Sequence, residues 1–260
     1  MRLAGQTALV TGASSGIGRA TALALAQEGA DVAVNYLTYP ESAAELAGQI
    51  HALGRRALLC PVDVSDQAAV EAMVARVAAE LGRLDIFISC AAYSDREFFY
   101  SANMDGFRRT VDVTMWGAFH GLRAAANQMI RQGQGGNAVL VSSGHAQTAI
   151  PTCAAYGMAK AALDLLGRTA ALELARYRIR VNLIYPGWTD TPGERKYFSE
   201  DVLRKASAQL PAGRLARPEE IARGIVFLVD PDSEYITGST LMVDGGGHLP
   251  WWSKRGSGEF

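Results

Sequence analysis

Short apolar runs alternate with amphipathic stretches along most of this chain, and glycine and proline punctuate the alternation. Residues 7–18, TALVTGASSGIG, form a β-rich run passing into a glycine-punctuated turn, and RATALALAQEGADVAVNY continues as a helix and a second strand. Pro40 and Glu41 open a helix predicted to reach Gly54, with proline in its first turn and glycine just past its end. RRALLCPV predicts a third strand. Ser65 is the expected cap of the helix DQAAVEAMVARVAAEL, which Gly82 stops, and LDIFIS is a continuous apolar run of the kind buried in a parallel sheet.

A polar and aromatic loop follows from Ala91 to Ala102, and a long helix is predicted from about Met104 to Ile130. Gly133, Gly135 and Gly136 break the chain before the strand AVLVSS. From Cys153 the run TCAAYGMAKAALDLLGRTAALELA reads as helix, and RIRVNLIYPG as the next strand. Residues 188–217 then leave the rhythm; an excursion of ~30 residues after a parallel strand reads as a substrate cap. PEEIARGIVFLV and STLMVDGG restore helix and strand. About seven strands joined by right-handed crossovers predict a single doubly wound, Rossmann-like α/β domain over residues 1–250, with mainly parallel strands and helices on both faces. Residues 251–260 form the C-terminal tail, of which SKRGSGEF reads as unstructured.

Composition narrows the function classes. A length of 260 residues with 49% hydrophobic content suits one large core. A net charge of −1 and a pI near 6.4 give no basic excess for a nucleic-acid backbone. Cys60, Cys90 and Cys153 lack C-x-x-C spacing, so neither a metal site nor a disulfide framework is expected, and a reducing cytoplasm fits. No signal-like start precedes the glycine turn and no run of ~18 apolar residues occurs, so neither export nor a membrane partner is expected.

The candidate chemistry lies in SGHAQTAIPTCAAYGMAK. Tyr156 and Lys160 stand four residues apart, hence on one helical face, where an ammonium favours a phenolate and makes Tyr156 a candidate general base. Ser143, ending its strand, reaches the same place to hold a substrate oxygen. His145 is near the substrate by position, as a wall residue or as a second acid or base. Taken alone, Tyr156 and Lys160 also read as a core tyrosine and a snorkelling lysine. The turn with Gly12, Gly16 and Gly18 tips the balance, because small residues there let the backbone approach a pyrophosphate at a helix N-terminus. Trp188, Trp251 and Trp252 read as packing residues, with the tail tryptophans suited to burial against another subunit.

TGASSGIG, Asp63-Val64 after the third strand, Ser143, Tyr156-x-x-x-Lys160 and Pro186-Gly187 with Thr189 and Thr191 together resemble the short-chain dehydrogenase/reductase family, from Leu3 to about Gly247. SSGHAQTAIP, NYLTYPESAAEL and GRLARPEEIARGIVFL look most like its glucose 1-dehydrogenase and 3-oxoacyl-carrier-protein reductase branch. The resemblance implies hydride transfer between NAD or NADP and a secondary alcohol or carbonyl, with a sugar or polyol favoured over a 3-oxoacyl thioester. It implies that Gly12, Ser14, Ser15, Gly16, Ile17, Gly18, Tyr36, Asp63, Val64, Ala91, Tyr156, Lys160, Pro186, Gly187, Thr189 and Thr191 bind the cofactor. Ser143, Tyr156, Lys160 and Thr114 are the implied catalytic set, and Ser143, His145, Tyr156 and Trp188 the implied substrate contacts. A homotetramer is implied as well.

Two departures stand at the site. Ser89-Cys90-Ala91-Ala92 replaces the family's N-N-A-G, and Thr114 takes the place of an asparagine, keeping a hydroxyl and a carbonyl for a water-mediated path from Lys160. These leave open a low-activity dinucleotide-binding sensor. The second strand ends Asn35, Tyr36, Leu37, Thr38, without the acid that selects NAD or the arginine that accepts NADP in sequence, although Arg19 or Arg55 could approach in space.

Overall fold

The computed structural model describes residues 1–250. The tail 251–260, with Trp251 and Trp252, lies outside the described residues. Seven parallel strands form one sheet in the order β3-β2-β1-β4-β5-β6-β7. They are β1 (Thr7–Thr11), β2 (Asp31–Tyr36), β3 (Ala57–Pro61), β4 (Ile86–Ser89), β5 (Gly136–Val141), β6 (Ile179–Pro186) and β7 (Thr240–Val243). Every residue of β1 and β4 is buried, because both sheet faces are covered, and this is why LDIFIS reads as a continuous apolar run.

Alternate side chains of one strand enter opposite cores. Ala8 and Val10 join the layer under α1 (Gly16–Gln27), α2 (Pro40–Ala52) and α8 (Pro218–Val229), while Leu9 joins the layer under α3 (Gln67–Leu81), α5 (Gly117–Gln132) and α6 (Ala154–Leu174). Burial of each such Leu, Ile or Phe contributes about 1.5–3 kcal/mol. The strand order reverses between β1 and β4, so the loops after these two strands diverge and open a crevice outside their carboxyl ends.

Several local expectations are corrected. Asp66, not Ser65, caps α3: its carboxylate accepts from the Ala69 N–H at 3.0 Å, whereas Ser65 donates to Asp63 at 2.7 Å. Ser65 stands one residue too early for its short side chain to satisfy the first turn. The long helix expected over 104–130 is α4 (Met104–Val111), a π-helical turn Asp112–Trp116, and α5, which runs on to Gln132. The wider turn contains Thr114, and such turns concentrate at functional sites.

Residues 188–217 hold a short 3₁₀ turn, Glu194–Lys196, and α7 (Glu200–Ser207). The two ends are pinned together where Ala216 N donates to Trp188 O and Asp190 N to Ala216 O, both at 2.9 Å. The segment thus leaves the sheet edge and returns to the same point, as a compact functional loop does.

Candidate active site

Backbone proximity shapes the crevice. Gly12 and Gly16 have φ of +63° and +52°, which β-carbon-bearing residues rarely adopt. A Cβ on Gly12 would lie 2.8 Å from Ala91 Cα, and one on Gly18 2.3 Å from the Gly12 carbonyl oxygen. Glycine is therefore required at both. Asn35 fixes the turn from below, accepting from Gly12 N at 3.3 Å and donating to the Cys60 and Val62 carbonyls. Ser15 begins α1 without a side-chain cap, and the first turn has no acidic residue, so its free N–H groups and positive dipole end suit an anion. Ser14 donates to Thr38 O at 2.8 Å, and Ile17 packs onto the apolar layer behind.

The structure brings the other end of the expected cofactor set to this turn. Cys90 and Ala91 N–H groups both donate to Thr11 Oγ1, and Thr191 Cγ2 lies 3.2 Å from where a Gly16 Cβ would be. Pro186 ends β6, a Gly187 Cβ would sit 2.5 Å from Asp244 Cα, and Thr189 donates to Gly187 O at 2.8 Å. A cradle of glycines at a helix N-terminus, lined by these backbones, fits a dinucleotide.

Asp63 is more committed than a free adenine contact. Its carboxylate accepts from Ser65 and from Arg109 at 2.8 Å, and these partners hold its pKa below the usual range against the opposing effect of partial burial. Val64 is buried over Gly117, and Tyr36 closes β2. Arg19 pairs with Glu45 at 3.1 Å and Arg55 donates to Gly29 O at 3.4 Å, so each guanidinium has a protein partner. That terminus carries no charged side chain from Asn35 to Thr38.

Ser143, Tyr156 and Lys160 converge beside this cradle. Ser143 follows β5 and opens a 3₁₀ turn; its Oγ lies 3.0 Å from His145 Nδ1 and accepts from the His145 N–H at 3.2 Å. The His145 ring meets Tyr156 edge to face at 5.5 Å. Lys160 is 2% exposed, its Nζ 5.4 Å from the Tyr156 ring centre and donating to Val141 O at 2.6 Å. Thr114 is fully buried, and its hydroxyl is spent on Tyr93, donating to O at 2.8 Å and accepting from N at 3.0 Å. Only its carbonyl is left for a water path from Lys160.

The electrostatics differ from the sequence expectation. Burial, then the Glu194 carboxylate, push the Tyr156 phenol up to about 12, and the nearby Ser143 hydroxyl and Arg96 only partly oppose this. The ammonium that was to pull the phenol down instead turns to Val141 O, and burial lowers Lys160 to about 8. Desolvation penalises whichever form is charged, which accounts for both directions. Burial likewise lowers His145, which is neutral at physiological pH.

Sequence reasoning missed the support behind the triad. Asp164 lies one helical turn past Lys160 and accepts from Ser142 at 2.8 Å, from the Tyr185 hydroxyl and from Arg168 at 3.3 Å. It thereby ties α6 to the β5 loop carrying Ser143 and to the end of β6. Its i+4 spacing from Lys160 was the available signal. Arg96 and Glu194 were also missed; they pair at 2.7 Å between the loop after β4 and the 188–217 segment, and Trp188 donates to the same carboxylate. Among the described residues no group of three or more His, Cys, Asp or Glu is placed to hold a metal, and no helix is long and apolar enough to cross a membrane.

A family model described as enoyl-(acyl carrier protein) reductase matches residues 12–248. L-rhamnose 1-dehydrogenase (NAD(P)(+)) of Sphingomonas sp. (strain SKA58) is 39% identical over 245 residues, 94% of this chain and 96% of that protein. Glucose 1-dehydrogenase 2 of Bacillus subtilis (strain 168) is 33% identical, covering 94% of this chain and 95% of the relative. Carveol dehydrogenase from Mycobacterium avium, solved in complex with NAD, superposes with a TM-score of 0.90 at 30% identity, over 95% of this chain and 99% of the other.

Proposed function

The chain belongs to the short-chain dehydrogenase/reductase family of oxidoreductases acting on alcohols and carbonyls, and we propose that it oxidises a sugar or polyol at a secondary hydroxyl with NAD or NADP. The observation that carries this reading is the convergence of Ser143, Tyr156 and Lys160 beside the glycine cradle at the strands' carboxyl edge. The rhamnose and glucose dehydrogenases, similar along nearly the whole chain, support the substrate class.

Gly12, Ser14, Ser15, Gly16, Ile17 and Gly18 would hold the pyrophosphate with Ala91 beside it, Tyr36, Asp63 and Val64 the adenosine end, and Pro186, Gly187, Thr189 and Thr191 the nicotinamide end. When bound, NAD(P) supplies the hydride acceptor for oxidation and the donor for reduction. Ser143 Oγ holds the reacting oxygen. Tyr156 Oη takes the proton from that oxygen in oxidation and returns it in reduction. A phenol raised to about 12 keeps its proton at neutral pH, so the free protein is set as an acid for reduction, and oxidation depends on the smaller phenolate fraction. Lys160 would hold the nicotinamide ribose, and His145 and Trp188 would line the substrate side. His145, neutral and bonded to Ser143, orients that hydroxyl.

Initial rates with D-glucose and L-rhamnose, each with NAD and NADP, are expected to exceed reduction of an acetoacetyl thioester with the reduced cofactors. The reverse ranking would move the substrate to the acyl class named by the family model. Absence of turnover with every sugar would end the sugar reading.

The same family reading includes a homotetramer. Met158, Leu165 and Leu172, 61%, 70% and 82% exposed, stand seven residues apart on the α6 face opposite Tyr156 and Lys160, with Trp116 exposed at the end of the π turn and Phe119 exposed on α5. An apolar stripe of this kind is suited to burial against a second copy. Sedimentation of the full chain at micromolar concentration is expected to give an oligomer, and monomer alone would contradict it.

A further inference from the structure

The 188–217 segment is tied to the loop after β4 by a cluster of contacts around Arg96. Arg96 Nη2 donates to Glu194 Oε1 at 2.7 Å, with the side chains 20% and 24% exposed. Trp188 Nε1 holds the other carboxylate oxygen at 2.9 Å. The guanidinium is stacked under Tyr197, 4.1 Å from the ring centre, and the Tyr197 hydroxyl donates to Ser94 O. Stacking fixes the plane of the cation and leaves its edge for hydrogen bonds. Yet among the described residues this arginine makes that one hydrogen bond, and its buried Nε–H has no partner. Buried polar groups without partners are exceptions that ask for an explanation.

Both charges act on groups of the candidate site. The backbone bridge between Glu97 and Cys153 sets Arg96 beside the segment that enters α6 three residues before Tyr156. Arg96 and Glu194 each act electrostatically on both Tyr156 and His145. Neither residue has a part in the proton transfer or the dinucleotide cradle proposed above, so their conjunction here calls for another role.

The charge balance identifies what they would take. A carboxylate or phosphate drawn to Arg96 meets Glu194 alongside it. A neutral polyol suits both, because one hydroxyl accepts from the guanidinium while the same or an adjacent hydroxyl donates to the carboxylate, and hydrogen bonds to charged partners are the stronger kind. We propose that Arg96 and Glu194 are the specificity pair of this enzyme, reading the hydroxyl next to the reacting carbon of a neutral polyhydroxylated substrate. The inference rests on the sugar reading above.

The test is a comparison of kcat/KM for D-glucose with 2-deoxy-D-glucose, or for L-rhamnose with its 2-deoxy analogue, in wild type, Arg96→Met, Arg96→Lys and Glu194→Gln. A site built to bond a hydroxyl rejects the analogue lacking it, because its own groups are then left unpaired. Wild type is expected to discriminate by about 10–100-fold, the range for a hydrogen bond to a charged group. Arg96→Met should bring the ratio to near one, Glu194→Gln should lower it, and Arg96→Lys should restore part of it, with melting temperatures reporting that each variant is folded. An Arg96→Met enzyme that loses activity equally on both sugars, or an Arg96→Met chain that fails to fold beside Arg96→Lys and Glu194→Gln enzymes of wild-type ratio, would reduce the pair to a structural latch and overturn the proposal. No sugar turnover by wild type would overturn the sugar reading as well, so the two failures are told apart.

Discussion

Tyr156→Phe is expected to lower kcat by about 10²–10⁴-fold, the usual contribution of general acid–base catalysis, while cofactor affinity stays nearly intact. The substitution removes Oη and keeps the ring, so the edge-to-face contact with His145 and the face presented to Lys160 survive. Measurement of kcat beside the cofactor dissociation constant by calorimetry checks both halves. Because burial holds the phenol near 12 in the free protein, oxidative kcat/KM should rise with pH above neutrality and reductive kcat/KM should not. A variant keeping more than about a tenth of wild-type turnover would pass the proton to another group, with His145 the first suspect.

Lys160→Met should abolish turnover and weaken cofactor binding, and yet make the protein more stable. Lys160 is 2% exposed and its folded pKa is about 8 against an ordinary 10.5. The charged form is therefore disfavoured in the fold. Below pH 8 that cost is fully present; between about 8 and 10.5 the folded chain has released a proton that the unfolded chain retains, so stability rises with pH. At about 1.4 kcal/mol per unit, relief of the buried charge contributes up to roughly 3 kcal/mol, in practice a rise of several degrees in Tm. The gain should be largest at or below pH 8 and should shrink toward pH 10. An unchanged or lowered Tm at pH 7 would mean that the Val141 contact outweighs desolvation.

What was readable in the sequence was whatever depends on local period and punctuation. The apolar runs at Thr7–Thr11 and Ile86–Ser89 are strands because both faces are covered, and the glycine turn is legible because Gly12 and Gly18 have no room for a Cβ. Tyr156 and Lys160 share a face by helical spacing, so their juxtaposition was legible too. Spacing did not disclose the titration of the pair. Lys160 Nζ chooses the Val141 carbonyl, and burial outweighs the expected Coulomb effect on the phenol.

Other features are tertiary from the start. The π turn around Thr114 differs from an α-helix by one residue in the hydrogen-bond step, too little for a hydrophobic pattern to register, and Thr114 itself is held by Tyr93 from a separate loop. Ser65 and Asp66 are both good caps by type; which one reaches Ala69 is decided by the backbone path after Asp63. Arg96 and Glu194 are 98 positions apart, with no periodic relation to disclose them. They were hidden in a loop and an excursion whose composition signals only irregular structure.

The central claim is that Tyr156 handles the proton while a sugar carbon gives its hydride to the nicotinamide. The most direct measurement follows the transferred atom. Wild type and Tyr156→Phe are each mixed with NAD or NADP and D-glucose or L-rhamnose deuterated at carbon 1, and deuterium in the reduced nicotinamide is read by mass spectrometry over a single turnover. The expected result is label in the nicotinamide with wild type and none over the same interval with Tyr156→Phe. Unlabelled, unreduced nicotinamide with wild type and both cofactors, or label arriving with Tyr156→Phe at more than about a tenth of the wild-type rate, would contradict it.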